Sequence, residues 1–149
     1  MLTLIKTDSQ NEDFRQLVSL LDIELTEIDG EEHDFYHQFN GIDNIRHAVV
    51  AYLDGVAVGC GAIKKYDDQT TEIKRMFVRP EHRGQQIASE IVQKLEEWSA
   101  ELGFLYCVLE TGKRQQDAIA LYQKNKYEVI PNYGQYVGVE NSVCMRKKI

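Results

Sequence analysis

The stretch Val78-Arg79-Pro80-Glu81-His82-Arg83-Gly84-Gln85-Gln86-Ile87-Ala88 decides how this chain folds. Ahead of it, Thr71–Val78 reads as a strand. Behind it, Ile87, Ile91, Leu95, Trp98 and Leu102 form an apolar stripe at helical spacing, which stops at Gly103, a residue suited to the position just past a helix end. Phe104–Leu109 then runs apolar without a break over a strand's length, as a strand covered on both faces does. Strand, helix and buried strand make a βαβ unit, which crosses over right-handed.

Upstream, Ala48–Leu53 and Val56–Lys65 flank Asp54-Gly55, the dipeptide that supplies two positive-φ positions for a type I′ hairpin turn. A second turn at Asp67-Asp68-Gln69-Thr70 leads into Thr71–Val78, so three antiparallel strands in a row are expected. Leu2–Lys6 suits a short first strand. Ser9 and Glu12 have capping-box spacing ahead of Phe14, Leu17, Val18, Leu21 and Leu25, which predicts a helix from about Asn11 to Thr26. Glu27–Arg46 is acidic and weakly periodic and reads as short helical turns and loop. Downstream, Ala118, Leu121, Tyr122 and Asn125 suggest another helix. A strand near Tyr127–Ile130, a Pro131–Gly138 loop and a last strand near Ser142–Lys147 complete a mixed sheet with helices on its faces.

The 149 residues fit a single domain, 1–149, large enough to bury a core without disulfides or metal. With 43% hydrophobic and 28% charged residues and a mean hydropathy of −0.42, the composition is that of an ordinary soluble domain. The net charge of −7 is uneven: residues 1–50 hold 11 acids against three bases, a net of −8, while the remainder carries a net of +1. An isoelectric point near 5.1 argues against nucleic-acid partners and anionic membrane surfaces, which call for basic faces. No apolar run approaches bilayer length and no signal peptide is evident, so no membrane partner is expected. Cys60, Cys107 and Cys144 are odd in number, far apart and set in apolar stretches. They read as buried thiols in a reducing compartment, most simply the cytoplasm.

The turn from strand to helix at Arg83-Gly84 is where ligand chemistry concentrates. A helix N-terminus offers unpaired N–H groups and the positive end of its dipole, and Gly84 lets backbone approach a phosphate closely. A glycine placed there merely to turn the chain is the competing reading. Neither G-x-x-x-x-G-K-[ST] nor G-x-G-x-x-G occurs, which excludes the P-loop and leaves a Rossmann dinucleotide site without its fingerprint.

Arg83-Gly84-Gln85-Gln86-Ile87-Ala88 resembles the acetyl-CoA motif [QR]-x-x-G-x-[GA] of the GNAT superfamily of N-acetyltransferases, with Gln86 standing where the motif has its glycine. Val78-x-Pro80-Glu81-x-Arg83-Gly84 and Ala118-x-x-Leu121-Tyr122-x-Lys124-x-x-Tyr127 match the family pattern too. Glu72–Val78 and Asn132-Tyr133-Gly134-x-Tyr136 are similar to a branch of small bacterial members. The resemblance implies an α/β, GNAT-like fold: a mixed, mostly antiparallel twisted sheet of six to seven strands with helices on both faces. It implies acetyl-CoA as donor, no metal, a small-molecule or peptide amine as acceptor, direct attack in a ternary complex, and a homodimer as a common state. The backbone of Met76, Phe77 and Val78 is expected to pair with the pantetheine arm where two strands splay. The N–H groups of Arg83, Gly84, Gln85, Gln86, Ile87, Ala88 and Ser89 are expected to cradle the pyrophosphate, and Gln115 to reach the cofactor.

Acetyl transfer to an amine needs a proton taken from the acceptor and a stabilised thiolate. Glu72 is the candidate base, because strand alternation puts Glu72, Lys74, Met76 and Val78 on one face, with a salt bridge to Lys74 or Lys65 as the competing reading. Glu110 is the reserve. Tyr122 occupies the family position that contacts the CoA sulfur and is the candidate acid, against a plain core aromatic. Phe35, Tyr36, Tyr133 and Tyr136 lie in loops that flank the acceptor cleft in such proteins, where shaping substrate choice and simple packing are both open. His33 and His37 lack the glutamate and third ligand of a zinc helix, and Cys107 is a buried thiol rather than a nucleophile. Two other readings compete: a non-catalytic acyl-CoA sensor, favoured by Gln86, and a different phosphate-ligand module on the same βαβ unit. The acidic first third further suggests a cationic amine.

Overall fold

The computed structural model describes residues 1–29 and 44–149. Seven strands are joined in one sheet: β1 (Leu2–Thr7), β2 (His47–Leu53), β3 (Val56–Asp67), β4 (Thr70–Val78), β5 (Tyr106–Gly112), β6 (Glu128–Ile130) and β7 (Ser142–Lys148), in the order β1-β2-β3-β4-β5-β7-β6. Only β4 and β5 run parallel; every other neighbouring pair is antiparallel. Three helices are described: α1 (Glu12–Asp29), α2 (Ile87–Glu101) and α3 (Gln116–Lys124). The mixed, mostly antiparallel sheet expected from the sequence is present, and helices cover both faces.

Local chemistry explains most of the boundaries. Asp54 and Gly55 take φ of 51° and 86°, as the hairpin turn between β2 and β3 requires. α1 begins later than the capping-box spacing implied: Asn11 is its cap, its Oδ1 accepting the Phe14 N–H at 2.9 Å, while buried Ser9 donates its N–H to Ile45 O at 3.1 Å. The helix also runs on to Asp29, so residues 27–29 are helical rather than loop. β5 starts at Tyr106, two residues inside the apolar run, because the N–H groups of Leu105 and Tyr106 both turn to Gln69 O.

Two apolar layers hold the sheet. Phe14, Leu17, Val18 and Leu21 of α1 pack on Ala48, Val50, Cys60, Ala62 and Phe77, forming one face. Ile87, Ile91, Val92 and Leu95 of α2, with Tyr122 of α3, cover Val49, Val58, Ile73, Val78 and Leu109 on the other. All three cysteines are free and buried, as their apolar setting implied, and burial pushes the Cys60 thiol up to about 12.

A bulge in β4 breaks the strand alternation. Cys60 lies opposite Phe77, and Ala62 opposite Lys74, so two residues of β4, Arg75 and Met76, face the single Gly61 of β3. Arg75 takes up the extra length with φ 59° and sends Nη2 2.6 Å to Asp22 of α1. Beyond the bulge the side chains change sides. Ile73 and Val78 share the α2 face, whereas Lys74, Arg75 and Phe77 lie toward α1. Glu72, Lys74, Met76 and Val78 therefore do not share a face, contrary to strict alternation: Glu72 and Lys74 are on the α1 side, Met76 and Val78 on the α2 side.

Gly61 is fixed by this packing. A Cβ there would meet the Met76 sulfur and come within 2.9 Å of Ile91 Cγ2 and 3.0 Å of Leu95 Cδ1. Gly61→Ala should therefore destabilise the fold by about 1–3 kcal/mol, measured by urea denaturation, whereas the same change at open, half-exposed surface would cost a few tenths.

Candidate active site

β4 and β5 pair only over Thr70–Glu72 against Tyr106–Val108 and then part. The parting opens a cavity of about 790 Å³, lined by the far halves of both strands, the first turn of α2, α3, and Leu21, Leu25 and Ile28 of α1. It passes between the strands and so reaches both faces of the sheet.

On the edge of β4 that faces the gap, backbone groups are left over. Arg79 N–H donates to Val58 O at 2.8 Å, so the hydrogen-bonded pairs with β3 fall at Arg79 and Phe77, and the N–H and C=O of Val78 point into the opening. Arg83 Nε meets that carbonyl at 2.9 Å. Met76, Phe77 and Val78 all line the cavity.

The mouth presents free backbone donors. Glu90 is the first residue of α2 whose N–H is taken up within the helix, by Gln86 O at 3.1 Å, which leaves the N–H groups of Ile87, Ala88 and Ser89 unpaired in the first turn. Gly84 has φ +82° and open space where a Cβ would stand. Arg83 departs from the sequence reading. Its N–H is already given to Pro80 O at 3.2 Å, and its guanidinium reaches Glu24 of α1 at 2.7 Å, so the free donors begin at Gly84. Ser89 also has a second duty: its Oγ accepts Asn125 Nδ2 at 3.1 Å, tying the end of α3 to the start of α2.

Gln86 caps α2 with φ 68°, the left-handed region where glycine carries no steric penalty. That geometry supplies a physical reason for a glycine preference at this motif position. The side chain turns to α3, its Oε1 accepting Lys124 Nζ at 2.6 Å, and it lines the mouth together with Lys124. Gln115, the residue before α3, lines the cavity as well.

The two candidate catalytic side chains lie on opposite faces. Tyr122, 6% exposed, belongs to the α2 face, and no hydrogen-bond partner holds its hydroxyl among the described residues. Burial, and secondarily the charge of Glu110, raises its pKa above the usual phenol range, so it stays protonated. On the α1 side, Glu72 is 8% exposed, and Tyr133 donates its hydroxyl to Glu72 Oε2 at 2.6 Å. Lys74 Nζ is 3.8 Å from Glu72 Oε1; Lys65 instead pairs with Asp68. Burial lowers the Lys74 pKa, with Glu72 opposing that shift. Glu110 lies opposite Cys144 on β7 and takes Ser142 Oγ at 2.7 Å, beside buried Tyr136. Tyr136 lines the cavity, and Tyr133 meets it through Glu72; Phe35, Tyr36, His33 and His37 lie outside the described residues. Among the described residues, no group of three or more His, Cys, Asp or Glu is arranged to hold a metal, and no helix is long and apolar enough to cross a membrane.

A strand pair that parts beside a helix N-terminus rich in free N–H groups is matched by family comparison, where the pattern described as "Acetyltransferase (GNAT) family" fits residues 14–127. The chain belongs to the GNAT acetyltransferase family. An IAA acetyltransferase of Azospirillum brasilense is 36% identical over 102 residues, 68% of this chain and 67% of that protein. Curated relatives are matched over about two thirds of their length or less. A Klebsiella pneumoniae structure provisionally named an acyl-CoA N-acyltransferase superposes with a TM-score of 0.82 at 28% identity, covering 99% of this chain and 97% of that one. The PaiA N-acetyltransferase of Thermoplasma acidophilum, solved with coenzyme A, shares the fold at a TM-score of 0.74 and 17% identity, covering 100% and 99% of the two chains. The GNAT fold and the acetyltransferase class implied by the motif both stand.

Sequence reasoning missed three features of this GNAT site. The bulge at Arg75 has no glycine or asparagine to announce it. The Tyr133–Glu72 bond joins residues 61 positions apart. Acids of α1 are taken up in pairs: Asp22 with Arg75 at 2.6 Å, Glu24, at the cavity wall, with Arg83 at 2.7 Å, and Asp13 accepts the Tyr52 hydroxyl at 2.6 Å. Replacing Gln86 by glycine removes a left-handed non-glycine residue at the cost of an exposed hydrogen bond. Gln86→Gly should raise stability by about 0.5–1 kcal/mol in thermal or urea unfolding; a loss of stability would mean that the Lys124 contact outweighs the strain.

Proposed function

We propose that this protein transfers an acetyl group from acetyl-CoA to a primary amine of a small molecule or peptide, by direct attack in a ternary complex. One observation carries the reading: the candidate base and the candidate acid lie on opposite faces of the sheet, with the gap between β4 and β5 joining them. The coenzyme A bound by the Thermoplasma relative supports acetyl-CoA as the donor substrate. Its diphosphate suits the free N–H groups from Gly84 to Ser89, and its pantetheine arm suits the open edge at Met76–Val78.

With the thioester in the gap, an amine approaching from the α1 side meets Glu72. The attacking nitrogen loses its proton to that carboxylate, directly or through one water, as the N–C bond forms. The C–S bond then breaks, and the sulfur leaves toward the α2 side, where the Tyr122 hydroxyl donates a hydrogen bond to the thiolate. A phenol whose pKa lies above that of the thiol stabilises the leaving group chiefly as a donor. Glu72 and Glu110 near the acceptor side suit an amine that arrives as its ammonium, which gives one proton to solvent before it attacks, with half-buried Lys74 offsetting one of the two carboxylates.

A panel of amines with acetyl-CoA, read by thiol release, tests the reaction. Glu72→Gln should lower kcat/KM by about 10²-fold or more. Tyr122→Phe should lower kcat by about 10²-fold while the KM for acetyl-CoA changes little. Wild-type binding of acetyl-CoA without turnover on any amine would instead favour a sensor.

A further inference from the structure

The segment Asn132-Tyr133-Gly134-Gln135-Tyr136 has no part in the reaction just described, yet its Tyr136 lines the cavity and its Tyr133 bonds Glu72, another lining residue. Asn132 Nδ2 donates to Tyr136 O at 3.1 Å and to Val139 O at 3.0 Å, and Tyr136 N–H donates to Tyr133 O at 2.9 Å. These bonds tie residues 132–139 into a compact turn. The Tyr133 ring is held edge-on between Tyr66, with centroids 5.0 Å apart, and Tyr136, 5.8 Å apart. An aromatic seat of this kind restricts both torsions of the side chain. The hydroxyl it delivers lies 2.6 Å from Glu72 Oε2.

We propose that Tyr133 is a positioning residue: it fixes Oε2 of Glu72 and leaves Oε1, 3.8 Å from Lys74 Nζ, as the oxygen that receives the acceptor's proton. The assignment rests on the acetyltransferase reading above. The phenol keeps its own proton throughout, because burial first, and then the charge of Glu72, raises its pKa above the usual phenol range. The proton released by the attacking nitrogen is the one that arrives on Glu72. The short hydrogen bond from a neutral donor holds one carboxylate oxygen in place, so the contact aims the base.

Lys74 on β4, Glu110 on β5, Cys144 on β7 and Tyr136 in the same turn also face this carboxylate or its donor. Their charges act on the base whether or not the Tyr133 hydroxyl is present, so a single variant isolates the hydroxyl. Tyr133→Phe keeps the ring and its edge contacts and removes only the donor. The expected result is a kcat lower by about tenfold with an unchanged KM for acetyl-CoA. Tyr66→Leu, at a half-exposed position outside the site, loosens the seat and should lower kcat by less, again without moving that KM. Circular dichroism and a thermal midpoint establish that both variants are folded.

If wild type turns over and Tyr133→Phe matches it in kcat, the assignment is overturned and the acetyltransferase reading stands. A lower kcat that comes with a raised KM for acetyl-CoA marks a packing role and overturns it equally. If wild type binds acetyl-CoA and acetylates no amine, the reaction itself is overturned, and the role of Tyr133 with it.

Discussion

Everything in this site depends on two parallel strands that pair for three residues and then separate. A sheet normally satisfies its backbone by continuing the ladder, so unpaired N–H and C=O groups inside a fold need another partner. Here the crossover helix α2 begins beside the parting, and α3 closes it from the far side. The leftover groups of β4 and the first turn of α2 therefore line a single passage rather than two separate surfaces. The bulge at Arg75, three residues past the last parallel pair, is the local device: a bulge bends its strand and increases its twist. The ion pair from Arg75 to Asp22 then braces the bent strand against α1.

Much of this architecture is written in short-range sequence signals. Asp54-Gly55 specifies its turn because few residue types accept positive φ twice in succession. The stripe from Ile87 to Leu102 specifies a helix because its period is that of a helix. The motif at Arg83–Ala88 marks the anion end because a strand, a glycine and a helix start occur together. The bulge is only faintly marked by comparison: alternation lapses at Lys74-Arg75 and gives way to apolar Met76-Phe77-Val78, and no glycine or asparagine announces the positive φ. Its cause is tertiary: Gly61 across the ladder, Asp22 on a helix 53 residues away, and the packing of Met76 on Ile91 and Leu95. Strict alternation consequently sets Glu72 on one face with Met76 and Val78, whereas the bulge puts it on the other.

The charge asymmetry of the chain has a similar lesson. An excess of acid in the first third suggests an attractive field for a cation. In the folded protein, Asp22 and Glu24 are counter-ions for arginines of the β4–α2 region, so part of that charge acts as internal bracing. Glu24 and Arg83 are partly exposed, which makes their pair a weak one in energy but a definite one in geometry. Such pairing cannot be inferred from a net charge, because it depends on which helix face meets which loop.

The bulge also bears on how tolerant this strand is of change. Burial of most of its side chains already restricts the chemistry along β4. The bulge fixes its residue count as well. Removing one residue between Glu72 and Val78 would restore the flat alternation and turn either the carboxylate or the wall of the passage to the wrong side. In β4 length is therefore inherited as strictly as composition, and a single codon lost there would undo more than many substitutions within it.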